Sequence, residues 1–426
     1  MLSVWAVTAC AVLIDNTQPK LDIHGKIVNA HDGTIRYMEG AWYYHGAEYG
    51  LCPEPPKLGC DGGTHHGCGF HGDHNVSIWR SPDLSSGSWE RVATAAHCAS
   101  DIPDCGILYR PHLVEAPASS ASGSHYLLYV NYVRASGGYG GNAVFGAPHP
   151  AGPFSLLNPV MNLGRLCPGP AASRPCGKAQ GGAGDFDVFV DPQDGVGYIA
   201  YSAQHYISIE SLTPDLLHST GENATWIDKA SFGGTAAPDY FVEAPTIFYR
   251  RKTYYLLYGH CCCFCMQGSG IIVATAPHPM GPWTRLPGDL ACVAPPHEAA
   301  GPSTAWPMLG AAPTPGQGCL YNGSKDLSTT RAQQNFVVTV PAADSDSDDS
   351  LIWTGDRWQQ APDGIKGHEG QFWAPLQFDD AGRMKRVRWI NSFNVSVPAA
   401  VKKAAAMPAP ETSTVLPPYR HSSADH

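Results

Sequence analysis

Residues 240–258, Tyr240-Phe-Val-Glu-Ala-Pro-Thr-Ile-Phe-Tyr-Arg-Arg-Lys-Thr-Tyr-Tyr-Leu-Leu-Tyr258, read as two β-strands joined by a basic turn. The run Thr246 to Tyr249 meets Arg250, Arg251 and Lys252, and a second β-prone run follows from Tyr254 to Tyr258, which is the pattern of a hairpin. One acid, Glu243, stands ahead of the first strand between Val242 and Ala244-Pro245. Apolar neighbours disfavour a charged carboxylate and raise its pKa, the condition under which a carboxyl group serves as a general acid near neutral pH. An acid at a strand edge is more often a surface group than a reagent. Recurrence of the module along the chain gives this one its weight.

A first unit runs from Ala30-His-Asp-Gly-Thr-Ile through Gly40-Ala-Trp-Tyr-Tyr-His-Gly to Val76-Ser-Ile-Trp-Arg-Ser-Pro-Asp-Leu. A second opens at Arg110-Pro-His-Leu-Val and ends in Ala147-Pro-His-Pro-Ala-Gly-Pro-Phe. The third begins at Asp185-Phe-Asp-Val-Phe-Val and continues to Tyr206-Ile-Ser-Ile-Glu. The fourth holds Glu243 and closes with Ala276-Pro-His-Pro-Met-Gly-Pro-Trp, nearly the phrase that closes the second. A more divergent fifth comprises Asn335-Phe-Val-Val-Thr-Val, Leu351-Ile-Trp-Thr-Gly-Asp-Arg-Trp and Phe372-Trp-Ala-Pro-Leu-Gln-Phe. Units of three or four short strands repeated without intervening helices specify an all-β, five-bladed β-propeller; a sandwich would space its strands similarly but would not repeat the phrase. Inner strands of a propeller converge on its axis, so the polar residues that open the units are expected to face one pocket.

Composition narrows the partners. The chain has 426 residues, 43% hydrophobic and 15% charged, with 46 Gly and 37 Pro spread through it, as suits many turns between short strands. A net charge of -10 argues against nucleic acid or an anionic membrane, both of which select a basic face; a neutral ligand fits better. Fourteen cysteines and four glycosylation sequons, at Asn75, Asn223, Asn322 and Asn394, point to a secreted or secretory-pathway protein, here taken as a monomer. Residues 1–19 read as a signal peptide or an N-terminal strand, 20–396 as the propeller, and 397–426 as an Ala- and Pro-rich tail.

Three acids open units: Asp32, Asp185 and Glu243, which the repeat sets at equivalent positions. Hydrolysis of a glycosidic bond needs a carboxylic acid to protonate the leaving oxygen and a group that activates water or attacks directly, and a third carboxylate can tune the acid. Asp187 and Asp191 are expected to be structural, Asp191 lying in a Pro-Gln-Asp-Gly turn.

On these residues the chain resembles glycoside hydrolase family 43, and within it the branch of exo-β-1,3-galactanases. Ala30-His31-Asp32-Gly33 is similar to the family's opening motif, which implies Asp32 as the catalytic base. The Asp185 segment resembles the third-blade motif of the pKa-modulating acid, and Glu243-Ala-Pro the fourth-blade motif of the general acid. Arg110-Pro-His-Leu, Trp353-Thr-Gly-Asp-Arg-Trp358 and Phe372-Trp-Ala-Pro-Leu resemble segments of the galactanase branch. That branch has glycine where this chain has Asp32 and uses a fourth-blade glutamine for the base-like task. Gln267 resembles that glutamine, so both are candidates, and Asp32 is favoured because a carboxylate is a far better base than an amide. The branch's Trp-Tyr-Gly-Glu reads Tyr44-His-Gly-Ala here and lacks the Glu.

The resemblance implies hydrolysis, with inversion, of a galactose- or arabinose/xylose-containing polysaccharide; a non-catalytic carbohydrate-binding propeller is the alternative. Sugar-stacking aromatics are sought in Trp42, Tyr44, Trp358 and Trp373, and hydroxyl-binding groups in Arg110, Gln267 and Arg357, although propeller cores also consume aromatics. No cofactor is required. A structural calcium at the axis near His368 is the one metal that related propellers suggest. Cys60, His65, His66, Cys68, His71 and His74 match no zinc pattern, and Cys261-Cys-Cys-Phe-Cys265 is read as a disulfide-pinned loop. Cys98 with Cys105 and Cys167 with Cys176 are the pairings suggested.

Overall fold

In the computed structural model the described residues are 9–53, 74–164, 184–203, 206–221, 225–227, 243–259, 268–286, 330–342 and 348–398. They form six antiparallel sheets, five of them blades. Blade I is β2 (His31–Met38), β3 (Ala41–Ala47), β4 (Asn75–Ser81) and β5 (Glu90–His97); blade II is β6 (Cys105–Glu115), β7 (Tyr126–Arg134), β8 (Tyr139–Ala147) and β9 (Ser155–Asn158). Blade III is β10 (Phe186–Val190), β11 (Gly197–Ala203), β12 (Tyr206–Ser211) and β13 (Thr225–Ile227); blade IV is β14 (Glu243–Arg250), β15 (Thr253–Gly259), β16 (Ile272–Ala276) and β17 (Thr284–Arg285). Blade V has three strands, β18 (Gln333–Val340), β19 (Ser350–Asp356) and β20 (Gln371–Pro375). The architecture is a five-bladed β-propeller, as the repeat requires. The chain's first described strand, β1 (Ala9–Asp15), pairs with its last, β21 (Ser392–Pro398), which extends two residues past residue 396.

The 240–258 stretch shows why blades read as continuous apolar runs. Along β15, Tyr255 and Leu257 enter one core cluster while Leu256 and Tyr258 enter the next. Both sheet faces are therefore buried, each against a neighbouring blade, and strict polar alternation disappears. Arg251 and Lys252 make the turn between Arg250 and Thr253 with φ of 46° and 63°. Two left-handed residues in a two-residue loop match the twist of the flanking strands.

The phrase shared by the second and fourth units is one turn used twice. Gly152 N–H donates to the His149 carbonyl at 2.8 Å, and Gly281 N–H to that of His278 at 2.8 Å. In each turn the histidine Nδ1 accepts a backbone N–H, from Ala151 and from Met280. Gly152 and Gly281 sit at φ of 90° and 92°, a conformation that only glycine adopts without strain.

Hydrogen bonds between neighbouring blades close the ring. Leu113 N–H donates to Thr34 Oγ1 (3.0 Å), joining blades I and II. Asp187 accepts from Thr246 Oγ1 (2.9 Å) and Ile247 N–H (2.8 Å) and pairs with His112 Nδ1 (3.0 Å), joining II, III and IV. Gln334 N–H donates to Ser269 Oγ (2.9 Å), and Asn335 Nδ2 to the Gly33 carbonyl (3.1 Å), completing the circle through V to I. Asp187 is thus a fastener. Burial raises its carboxyl pKa, but His112, the Ile247 N–H and Arg36 together hold it below the usual range. Asp191 caps its turn, accepting from Gln193 N–H and from Tyr254 Oη at 2.7 Å. A disulfide joins Cys98 to Cys105, bracketing one helical turn, Cys98–Asp101. Cys167, Cys176, Cys261 to Cys265 and the cysteines of the 60–71 segment lie outside the described residues.

Candidate active site

Four of the five inner strands carry a β-bulge near their start. Register shifts fall between His31 and Thr34, Tyr109 and His112, Glu243 and Thr246, and Gln334 and Phe336. A bulge adds one residue to one strand, bends it and re-aims a side chain. Three bulged positions are left-handed although none is glycine: Asp32 (φ 56°), Arg110 (φ 52°) and Ala244 (φ 54°). This register corrects one expectation. Asp32 corresponds to Ala244, not to Glu243, which corresponds to His31 before its bulge. The offset has a consequence for exposure: Asp32 is 2% exposed, whereas Glu243 is half-buried.

The three acids nevertheless share one field. The Tyr109 hydroxyl of blade II is pushed well above its usual pKa by burial, then by Tyr139, Asp185, Asp32 and Glu243. One phenol is thus within electrostatic reach of carboxylates from blades I, III and IV.

Asp185 is held from both sides. Its Oδ1 lies 3.0 Å from Arg110 Nε, and its Oδ2 accepts from Gln333 Nε2 at 3.2 Å. Trp358 Nε1 in turn donates to Gln333 Oε1 at 2.6 Å. Arg110 is buried and also donates to Asn335 Oδ1 (2.8 Å) and to the Gln334 carbonyl (3.3 Å). Burial opposes its charge, but Asp185, Asp32 and Asp356 outweigh that and hold the guanidinium above its ordinary pKa.

Asp32 is enclosed. Tyr49 Oη donates to its Oδ2, its backbone N–H donates to Asp356 Oδ1 at 3.3 Å, and its Oδ1 is buried without a partner among the described residues. Tyr49 lies against His31, ring centroids 4.5 Å apart, and beneath Lys366, whose Nζ binds Glu369 at 2.8 Å. Asp32 therefore does not offer an open carboxylate, as a free base would.

Several expected ligands of sugar are structural. Trp42, Tyr44 and Trp373 are buried in the cluster between blades V and I, and Tyr44 Oη is taken by the Ala30 carbonyl at 2.6 Å. Arg357 is buried, donates to the Asn16 carbonyl at 2.9 Å and lies over Trp389; burial and Arg331 lower its pKa to about 9. Trp358 is buried too, and its Nε1 meets Gln333, which in turn holds Asp185. Gln267 lies outside the described residues. Among the described residues no group of His, Cys, Asp and Glu could hold a metal ion, and His368 pairs with Asp363 at 2.7 Å instead. His74 likewise uses both ring nitrogens, toward the Glu48 carbonyl and Leu108 N–H.

Tyr49, Tyr109, Gln333, Asp356 and Lys366 escaped sequence reasoning. Asp356 had a signal in the Gly-Asp-Arg-Trp motif; the others had none, because they enter through bulges and loops rather than through the repeat.

Solved structures share this fold. The chain is similar to an exo-β-1,3-galactanase from Clostridium thermocellum, with 20% identity over 91% of this chain and 68% of that one, and a TM-score of 0.61. An exo-β-1,3-galactanase from Phanerochaete chrysosporium, solved with galactose, matches at 18% identity over 91% of this chain and 70% of that one, with a TM-score of 0.59. A family 43 β-1,3-galactosidase matches at 20% identity over 91% of this chain and a TM-score of 0.57, and this chain spans 64% of its length. At such identities the likeness shows the fold. No curated protein sequence matches. Residues 28–294, which carry all three acids, fit the family model for glycosyl hydrolases family 43, and the chain belongs to that family.

Proposed function

We propose that this propeller hydrolyses a galactose-containing polysaccharide, β-1,3-linked galactan foremost, by single displacement with inversion. What supports the reading is the fit of residues 28–294, with Asp32, Asp185 and Glu243 among them, to family 43, together with Asp185 held by buried Arg110 and Gln333 at the blade openings. Glu243, half-buried at the start of β14, is the proton donor to the departing oxygen. Asp185 sets the field around it. The choice of inversion follows from occupancy: a retaining enzyme needs a second carboxylate free to bond to the sugar. Both Asp185 oxygens are engaged and Asp32 is closed over, so water attacks directly. Galactan is favoured because the similar structures named above are β-1,3-galactanases and a β-1,3-galactosidase.

The test is release of sugar from β-1,3-galactan, arabinan and xylan, with the anomer followed by NMR. Galactose appearing first as the α-anomer supports the proposal; the β-anomer first excludes inversion. Binding without release from any of these glycans would make the protein a carbohydrate-binding propeller.

A further inference from the structure

Asp356, the last residue of β19, brings a fourth carboxyl group to the axis from blade V. We propose that Asp32 and Asp356 form a pair that holds one proton between them at neutral pH and carries a single negative charge. The Asp32 N–H bonded to Asp356 Oδ1 sets the two residues side by side. Two of the four carboxyl oxygens are satisfied: Asp32 Oδ2 by Tyr49, and Asp356 Oδ1 by Gln371 Nε2 at 2.9 Å as well as by the Asp32 N–H. The other two, Asp32 Oδ1 and Asp356 Oδ2, are buried with no hydrogen-bond partner among the described residues.

An ionised carboxylate can only accept, so two ionised groups here would leave two buried acceptors facing no donor. One proton turns one oxygen into a donor and removes half the buried charge. The cations nearby do not replace it. Arg110 directs its N–H groups to Asp185, Asn335 and Gln334, and Lys366 binds Glu369, while Asp185 adds a further negative charge. Tyr49 and Tyr44, both buried, are held protonated by burial and by these acids. In keeping with the geometry, burial and the charge of Asp32 push the Asp356 carboxyl well above the carboxylate range. Burial raises Asp32 as well, against the pull of Arg110 and Tyr49. Like-charged carboxyls in close company titrate as a pair in two steps.

The catalytic consequence rests on the hydrolase reading: a pair already holding a proton is no free base, so the attacking water is activated elsewhere on the rim. The pairing itself is tested without turnover. Infrared spectra of the intact protein at neutral pH, recorded in the Glu243→Gln background to remove the general acid's own proton, are expected to show one protonated-carboxyl C=O stretch. Adding Asp32→Asn or Asp356→Asn should shift or remove the band, because the protonated carboxyl loses the partner that shares its proton. Absence of the band in the Glu243→Gln protein overturns the pair. So does a band left at the same frequency in both double variants, which would mark an acid outside the pair. Either variant suffices should the other fail to fold.

Discussion

Arg110 Nε and Asp185 Oδ1 lie 3.0 Å apart, and the arginine is the bulged, left-handed residue of its strand. The ion pair therefore depends on a backbone irregularity of blade II to fix an acid of blade III. Replacing Arg110 with Gln would leave the Asp185 carboxylate with Gln333 as its partner among the described residues and remove a cation that acts on the Asp32–Asp356 pair. Loss of one partner of a buried ion pair costs about 3 kcal/mol. Chemical denaturation should show that loss, and kcat should fall about a hundredfold through mispositioning.

Glu243→Gln keeps size and shape but cannot donate a proton. Activity on β-1,3-galactan should fall about a hundred- to ten-thousand-fold with the thermal midpoint unchanged. An aryl galactoside whose leaving group needs no protonation should retain far more of its rate. Equal loss on both substrates would remove Glu243 from the proton-donor role.

Asp356 makes a prediction about stability and pH. Its folded pKa is raised, so between the ordinary carboxylate value, about 3.9, and that raised value the folded protein binds more protons than the unfolded one. Asp356's contribution to stability then falls as pH rises from about 4 toward its raised folded value. The thermal midpoint of Asp356→Asn, which cannot ionise, should decline less over that window than the wild type's.

Gly33, the second residue of the blade I bulge, packs against the next strand. A Cβ placed there would stand 1.6 Å from the His45 carbonyl oxygen. That atom is backbone in a paired strand and cannot step aside, so Gly33→Ala should fail to accumulate as folded protein, as judged by soluble yield and circular dichroism. Gly87→Ala meets no nearby atom at its turn and is the milder control, although its φ of 87° still strains alanine.

The ring was legible because the phrase Ala-Pro-His-Pro-x-Gly-Pro encodes a turn, and a turn placed twice at one stage of a unit reveals the unit. Glu243 was legible because its hairpin is local. The register of Asp32 was not: the bulge at residues 32–33 inserts one residue that composition does not announce, so an acid counted as equivalent to Glu243 falls one position later and turns inward. The aromatics misled for a different reason. Trp42, Tyr44 and Trp373 face the core between blades, a surface that needs rings for volume as much as a sugar site needs them for stacking. Tyr49 follows β3 and Gln333 opens β18, and nothing in their neighbours' spacing ties them to acids on other blades.

Asp32, Arg110 and Ala244 stand at positions where the inner strands step out of register with their partners. A residue in such a step contributes a side chain to the axis without being one half of a ladder pair. Replacing it changes what the pocket contains and leaves the strand alignment beyond it where it was. A carboxylate, a guanidinium and a methyl group already occupy three copies of one socket, so the side chain there varies from blade to blade while the ladder stays the same.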